Sequence, residues 1–380
     1  MRIAIIVGAR PNFVKIAPLL REMRRFPQIV STLIHTGQHY DGAMSGQFFR
    51  DLEIEAPSLN LGVGSGSHAV QTAEVMRRLE PVLLATPPDL VLVVGDVNST
   101  LAAALTAVKV DIPVAHVEAG LRSFDRRMPE EINRLLTDAV ADLLFITEES
   151  ARENLGREGI PPEKIHFVGN VMIDALKLFR PQWERSSILD ALGLRPERPY
   201  AVVTLHRPSN VDDLTTLSGF VTAFQELSHY LPVVFPIHPR IRPLIDRVGE
   251  RVGTGVGACG VTYLDPLGYL DFIAVLSRAA VVLTDSGGVQ EETTALGVPC
   301  LTLRDTTERP VTVTHGTNRV IGSDASRVVP EALRALAQPP SPRGHPPLWD
   351  GRAAERITRL LSYVWAGTEE QRRARVPVGL

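Results

Sequence analysis

Short runs of β-branched and aliphatic residues alternate with amphipathic stretches along nearly the whole chain, and they form two sets. In the first set, RIAIIVG, VSTLIH, DLVLVVGD, IPVAHVE and DLLFIT are apolar on both faces, as strands buried in a parallel sheet are. The pattern restarts around IHFVGNVMIDALK. YAVVTLH, PVVFPIH, GVTYLD, AAVVLTD and VPCLTL then make a second set. Strands alternating with helices imply parallel α/β sheets. A chain of 380 residues is too long for one ordinary domain. Two Rossmann-like domains are therefore expected, over 1–170 and 171–354, with a hinge near Gly169 to Asp174. Between the strands, Pro11 suits the first turn of a helix. Asn98 or Ser99 can cap the helix through LAAALTAVK. Leu214, Leu217, Phe220, Phe224 and Leu227 recur at helical intervals. QPPSPRGHPPLWDG reads as a loop before a last helix.

In open parallel sheets ligands bind beyond the carboxyl ends of the strands. With two such sheets, the site is expected in a cleft with the two domains facing across it. The segment TDSGGVQEETTALGVPCLTLRDTTERP carries the sharpest signal. A Ser286-Gly287-Gly288 turn after an apolar run and before a helix makes an anion site. Glycine admits close approach, and the first helical N–H groups point at the ligand. Glu291 and Glu292 follow within about one turn, placed to accept hydrogen bonds from ribose hydroxyls. Arg304 and Arg309 return positive charge to the same sheet end. The alternative is a glycine-rich turn with solvated acids; the arginines favour a site for diphosphate and ribose.

Bulk properties require that positive charge to be local. There are 40 basic and 43 acidic side chains, a net charge of −3, with no general pull toward nucleic acid or anionic membrane. Hydrophobic residues make up 44%, enough for two cores. The two cysteines, Cys259 and Cys300, fit neither a disulfide framework nor a zinc site. The apolar run at the N-terminus is too short for a signal peptide. No stretch approaches the ~20 apolar residues of a membrane span. The expectation is a soluble cytoplasmic protein with no nucleic-acid or membrane partner.

The other strand ends collect polar residues. Arg10 and Lys15 begin the helix after the first strand, where cations oppose the helix dipole and an anion would relieve them. Asp96 ends DLVLVVGD and Glu118 ends IPVAHVE. Helix capping explains an Asp there more readily than a Glu. Glu130 follows Pro129, and by residue physics alone it reads as an acid favoured at a helix start. His206, followed by Arg207, and His238 end two strands of the second set. A lone histidine is ordinarily structural; Arg207 marks His206 as the candidate. The second domain would then hold the nucleotide while the first presents carboxylates to the attached sugar. Burial and mutual repulsion can tune such carboxylates for proton transfer.

GARPNFVKIAPL, VVGDVNSTLAAAL, PVAHVEAGLRS, MPEEINR, VGNVMIDAL, TLHRPSNVD, YLDFIAVL, TDSGGVQEE and RDTTERP follow one another along the chain. In these segments it resembles the non-hydrolysing UDP-N-acetylglucosamine 2-epimerases over nearly its whole length. The resemblance implies the glycosyltransferase-B-type fold, with residues 355–380 crossing back to the first domain, and commonly a homodimer. It implies reversible epimerisation of UDP-GlcNAc to UDP-ManNAc at sugar carbon 2, by elimination and re-addition of UDP through a bound glycal, with no cofactor and no metal. By resemblance the catalytic residues are Asp96, Glu118, Glu130 and His206. The nucleotide contacts are Arg10, Lys15, Phe272, Ser286, Gly287, Gly288, Glu292 and Arg309. Ala9 and Asn12 stand where many members have Thr and Glu. Gln38 and His39 match part of an activating second site of some bacterial members, and Tyr40 stands where a basic residue is often seen. Relatives acting on UDP-2,3-diacetamido-uronic acids share much of the pattern. A glycosyltransferase on the same scaffold is the alternative of a different class; three acids opposite the nucleotide favour epimerisation. Hydrolytic epimerisation and a non-catalytic sugar-nucleotide sensor complete the alternatives.

Overall fold

The two sets of apolar runs fold as two parallel sheets. The computed structural model describes residues 1–38, 49–195, 197–237, 241–252, 260–338 and 344–364. The first sheet contains β1 (Arg2–Val7), β2 (Val30–His35), β3 (Leu59–Asn60), β4 (Leu90–Val94), β5 (Val114–Ala119), β6 (Leu143–Ile146) and β7 (Ile165–Phe167). Its order is β3-β2-β1-β4-β5-β6-β7, with every pairing parallel. β4 is buried at all five positions, as a strand covered by helices on both faces must be. The strand order reverses direction between β1 and β4, and the ends of those strands are where a ligand is expected.

The second sheet contains β8 (Ala201–Thr204), β9 (Val233–Pro236), β10 (Val261–Leu264), β11 (Val281–Thr284), β12 (Cys300–Thr302) and β13 (Asn318–Val320). Its order, β10-β9-β8-β11-β12-β13, is again wholly parallel and switches between β8 and β11. The expected helix runs Leu214–Leu227, with the Asp213 carboxylate accepting from Thr216 N at 2.8 Å as its cap. Its Phe224 meets Phe235 of β9 edge to face at 5.9 Å, inside the unit's core.

Three strands were not anticipated. β3, β7 and β13 have two or three residues each, too few to show a pattern. The helix caps at 98 or 99 are corrected as well. The helix is Asn98–Lys109, its N-cap is Val97, and no side chain caps it. Asn98 instead donates to Gln71 Oε1 and accepts from Asn133, and Ser99 Oγ donates to Gln38 Oε1.

The chain divides into Met1–Leu178 with the returning segment from Pro347, and Phe179–Pro346. The divisions thus fall at 178 and 347 rather than at 170 and 355. Within the first unit the helix Val171–Leu178 packs on the helix Arg10–Met23. Its Asp174 accepts Ala353 N at 3.1 Å and Ala354 N at 2.7 Å, capping the last helix, Ala353–Val364, across the sequence. The stretch expected to be a hinge is therefore anchored in the first unit. A Cβ at Gly169 would lie 2.1 Å from Leu348 O.

Candidate active site

In the first unit Asp96 follows β4 at the sheet's switch point, and Glu118 lies at the end of the neighbouring β5. After β4 come Gly95, in the left-handed region at φ +71°, and Asp96. Asp96 accepts from Arg134 Nη1 at 2.6 Å, and its carbonyl accepts from Asn133 Nδ2 at 2.9 Å. Arg134 is buried on the helix Pro129–Val140, and its Nη2 donates to Glu131 at 2.6 Å. Glu131 also accepts from Ser123 N, Ser123 Oγ and Phe124 N. Burial pushes the Glu131 carboxyl up, but the bonds from Arg134 and Ser123 outweigh it and hold it below the usual range. Glu131 thus pins the loop after β5 and aims Arg134 at Asp96. Glu130, one residue earlier, is half-buried in the same first turn.

Glu118 lies at the end of β5 with φ +74°. The pairing of β5 with β6 shifts between Val117 and Ala119, so Glu118 occupies a bulge. A non-glycine residue there costs about 1–2 kcal/mol, and such strain collects at working sites. The Glu118 side chain is 2% exposed and receives Lys15 Nζ at 2.5 Å. Lys15, expected as a nucleotide contact, is thus engaged with the carboxylate expected to do chemistry. Arg10 is the first residue of the helix that carries Lys15. Asn12, not anticipated as a site residue, accepts from Gly8 N and Ala9 N and donates to Val94 O, tying the turn after β1 to the end of β4. Gln38 is buried against Ser99; His39 and Tyr40 lie outside the described residues.

In the second unit His206 follows β8 and Asp285 follows β11, at that sheet's switch point. Asp285 is fully buried and accepts from His206 N, Arg207 N and Asn210 Nδ2. It lies 2.9 Å from His206 Nδ1. Burial pushes the Asp285 carboxyl up, yet the neighbouring His206 and these hydrogen bonds hold it below the usual range. A carboxylate accepts only, so Nδ1 donates and Nε2 is the nitrogen left to face outward on a side chain 42% exposed. His238 lies outside the described residues.

Ser286 is the N-cap of the helix Gly287–Leu296, but its side chain makes no capping bond and the first turn holds no acid. The helix start therefore keeps its affinity for an anion. Behind it, Arg309 forms an ion pair with Glu291 at 2.8 Å and donates to Glu308 at 2.5 Å, while Glu308 also pairs with Arg304 at 2.8 Å and with Arg207 at 3.9 Å. These guanidinium groups and carboxylates form one ion-pair cluster behind the Ser-Gly-Gly turn. Arg309, 4% exposed, supports that turn from within. A Cβ on Gly287 would stand 2.3 Å from Arg309 Nη1, so this glycine is needed for packing and not only for a ligand's approach. Gly288 is half-buried beside it, and Glu292 is buried one turn on. Tyr269 begins the neighbouring helix, Tyr269–Ser277; burial and the nearby Glu292 push its hydroxyl well up. Phe272 is half-buried on that helix.

A family model described as UDP-N-acetylglucosamine 2-epimerase matches residues 21–362. The chain belongs to the UDP-N-acetylglucosamine 2-epimerase family. It is 40% identical to the UDP-N-acetylglucosamine 2-epimerase of Methanocaldococcus jannaschii over 375 residues, 96% of this chain and 99% of that protein. It is 42% identical to the UDP-2,3-diacetamido-2,3-dideoxy-D-glucuronate 2-epimerase of Pseudomonas aeruginosa over 366 residues, 95% of this chain and 99% of that one. The crystal structure of the M. jannaschii enzyme in complex with UDP-GlcNAc and UDP matches with a TM-score of 0.88, covering 96% of this chain and 100% of that chain. This epimerase-family chain thus has the α/β fold of two parallel sheets found in solved relatives. Among the described residues no helix is long and apolar enough to cross a membrane.

Proposed function

We propose that this chain interconverts UDP-GlcNAc and UDP-ManNAc at sugar carbon 2. The observation that carries the reading is the match, over 96% of the chain, to a relative solved with UDP-GlcNAc and UDP. The Ser286-Gly287-Gly288 helix start, supported by Arg309, holds the diphosphate, with Arg10 as a further contact; Glu292 and Phe272 serve the nucleoside. Lys15 acts through Glu118 in the arrangement described above.

The chemistry begins with a carboxylate of the first unit taking the proton from sugar carbon 2. The C–H electron pair becomes the carbon 1–carbon 2 double bond, and the carbon 1–oxygen bond breaks to release UDP. In its imidazolium form His206, with Nδ1–H held by Asp285, donates from Nε2–H to the departing diphosphate. UDP then adds back while a second carboxylate delivers a proton to the opposite face. Asp96, Glu118 and Glu130 are the acids for these steps. Keeping UDP in place through both steps makes the return effectively unimolecular. The protein works as a cytoplasmic homodimer supplying cell-surface polysaccharide synthesis; the family resemblance supports this.

Purified chain given UDP-GlcNAc without an acceptor tests the reading. Proton NMR should show UDP-ManNAc accumulating with total UDP-sugar conserved. Free ManNAc with UDP would indicate hydrolysis instead, and no change without an acceptor would indicate a transferase. Turnover of a UDP-diacetamido-uronic acid alone would move the substrate, not the reaction.

A further inference from the structure

Asp138 was not among the residues that sequence reasoning singled out, yet it binds the chain on either side of Glu118. It is fully buried on the helix Pro129–Val140. Its Oδ1 lies 2.6 Å from His116 Nδ1. Its Oδ2 accepts Gly120 N at 3.0 Å and lies 2.7 Å from Arg122 Nη2. Arg122 is itself gripped at two points by Glu158, at 2.8 and 2.7 Å. His116 Nε2 stands 2.8 Å from Gly95 O, a group that only accepts. Burial pushes the Asp138 carboxyl up, but His116 and Arg122 outweigh it and hold it below the usual range.

The placement of these bonds is specific. His116 and Gly120 are two residues before and two residues after Glu118, and both are bound by the one carboxylate. Glu118 is in the bulge with a left-handed backbone, a conformation that persists only where its surroundings over-determine it. Through His116 the same acid reaches Gly95 O, one residue before Asp96. A single buried group therefore sets the turn that carries Glu118 and ties it to the turn that carries Asp96.

We propose that Asp138 is a positioning residue for the epimerisation, holding Glu118 in its strained orientation and fixing it relative to Asp96. The proposal rests on the reading that these two acids act on the sugar. Its test is Asp138→Asn, which keeps the shape but sets an amide against the donors. Turnover of UDP-GlcNAc should fall at least about ten-fold, about 1.4 kcal/mol in the barrier, while KM and the Kd for UDP stay within about two-fold of wild type. Unchanged kcat in the folded variant overturns the proposal, as does a loss matched by weaker UDP binding. If Asp138→Asn does not fold, His116→Asn decides. Its shorter amide keeps a donor for Asp138 but falls short of Gly95 O, so it should lower kcat with the same unchanged KM; wild-type turnover would overturn the proposal. A crystal structure of whichever variant folds gives a readout independent of substrate. Rearrangement of the Gly95–Asp96 or Glu118 backbone supports the staple, and both turns unmoved contradict it. Wild-type enzyme inactive on UDP-GlcNAc would defeat the functional reading, whereas active wild type with an equally active variant would defeat only the staple.

Discussion

Replacing Lys15 by Met isolates the role of the buried ion pair. The two side chains are 6% and 2% exposed and 2.5 Å apart, so neither is solvated by bulk water. Met fills most of the lysine stem, and the cavity contribution is small. What remains is a carboxylate stranded without its cation, for which removal of one partner of a buried pair costs about 3–5 kcal/mol. Relaxation of the Glu118 backbone returns about 1–2 kcal/mol of strain, which puts the net loss near about 3 kcal/mol. The double variant Lys15→Met with Glu118→Gln removes the stranded charge and should recover most of that loss, giving a coupling of about 2 kcal/mol or more in a double-mutant cycle. Urea unfolding followed by circular dichroism measures all four corners. The same proteins report function: Lys15→Met should lower kcat while leaving the Kd for UDP unchanged. A Lys15→Met variant that loses under about 1 kcal/mol yet binds UDP much more weakly would refute the reasoning. The lysine would then belong to the nucleotide rather than to Glu118.

Asp285→Asn should lower kcat at least about ten-fold with little change in UDP affinity, measured by steady-state kinetics and calorimetry, because His206 loses the acceptor that orients it. Gly287→Ala pushes a methyl into Arg309, at 2.3 Å from Nη1. It should cost about 1–3 kcal/mol and weaken UDP binding, read by urea unfolding and titration calorimetry. Burial, reinforced by Asp350, lifts the Asp174 carboxyl to about 6 from 3.8 despite the bonds from Ala354 and Ala353 and the charge of Arg356. Folded protein therefore holds that proton more tightly than unfolded chain. The stability it contributes is full below about pH 4 and is lost as pH rises through about 6, roughly 3 kcal/mol in all. Asp174→Asn lacks this loss, so urea midpoints of variant and wild type should diverge in the variant's favour between about pH 4 and 7.

Two parallel sheets were legible because β-branched runs apolar on both faces have few other fates. Asp96, Glu118 and His206 stood out because each ends such a run. The glycine turn between β11 and the helix Gly287–Leu296 was legible as a turn joining strand to helix. Arg134, Asp138 and Asp285 were not legible, since acids and arginines on helices or after strands are ordinary. Their meaning comes from partners such as Asp96, His116 and His206, tens of residues away. Asn98 misled for the same reason: its amide serves Gln71 and Asn133, so local capping chemistry lost to tertiary contacts. Lys15 follows β1 and Arg309 follows β12, as their positions in the sequence suggested. Their charges nonetheless turn inward, to Glu118 and to Glu291 and Glu308, a choice that no local pattern encodes.

The account turns on proton exchange at one carbon. Wild-type protein incubated with UDP-GlcNAc in deuterium oxide, with no acceptor, should place deuterium at sugar carbon 2 of both UDP-GlcNAc and the UDP-ManNAc that forms. UDP-ManNAc forming with protium retained at carbon 2, or no isotope entering either sugar from a folded enzyme, would contradict it.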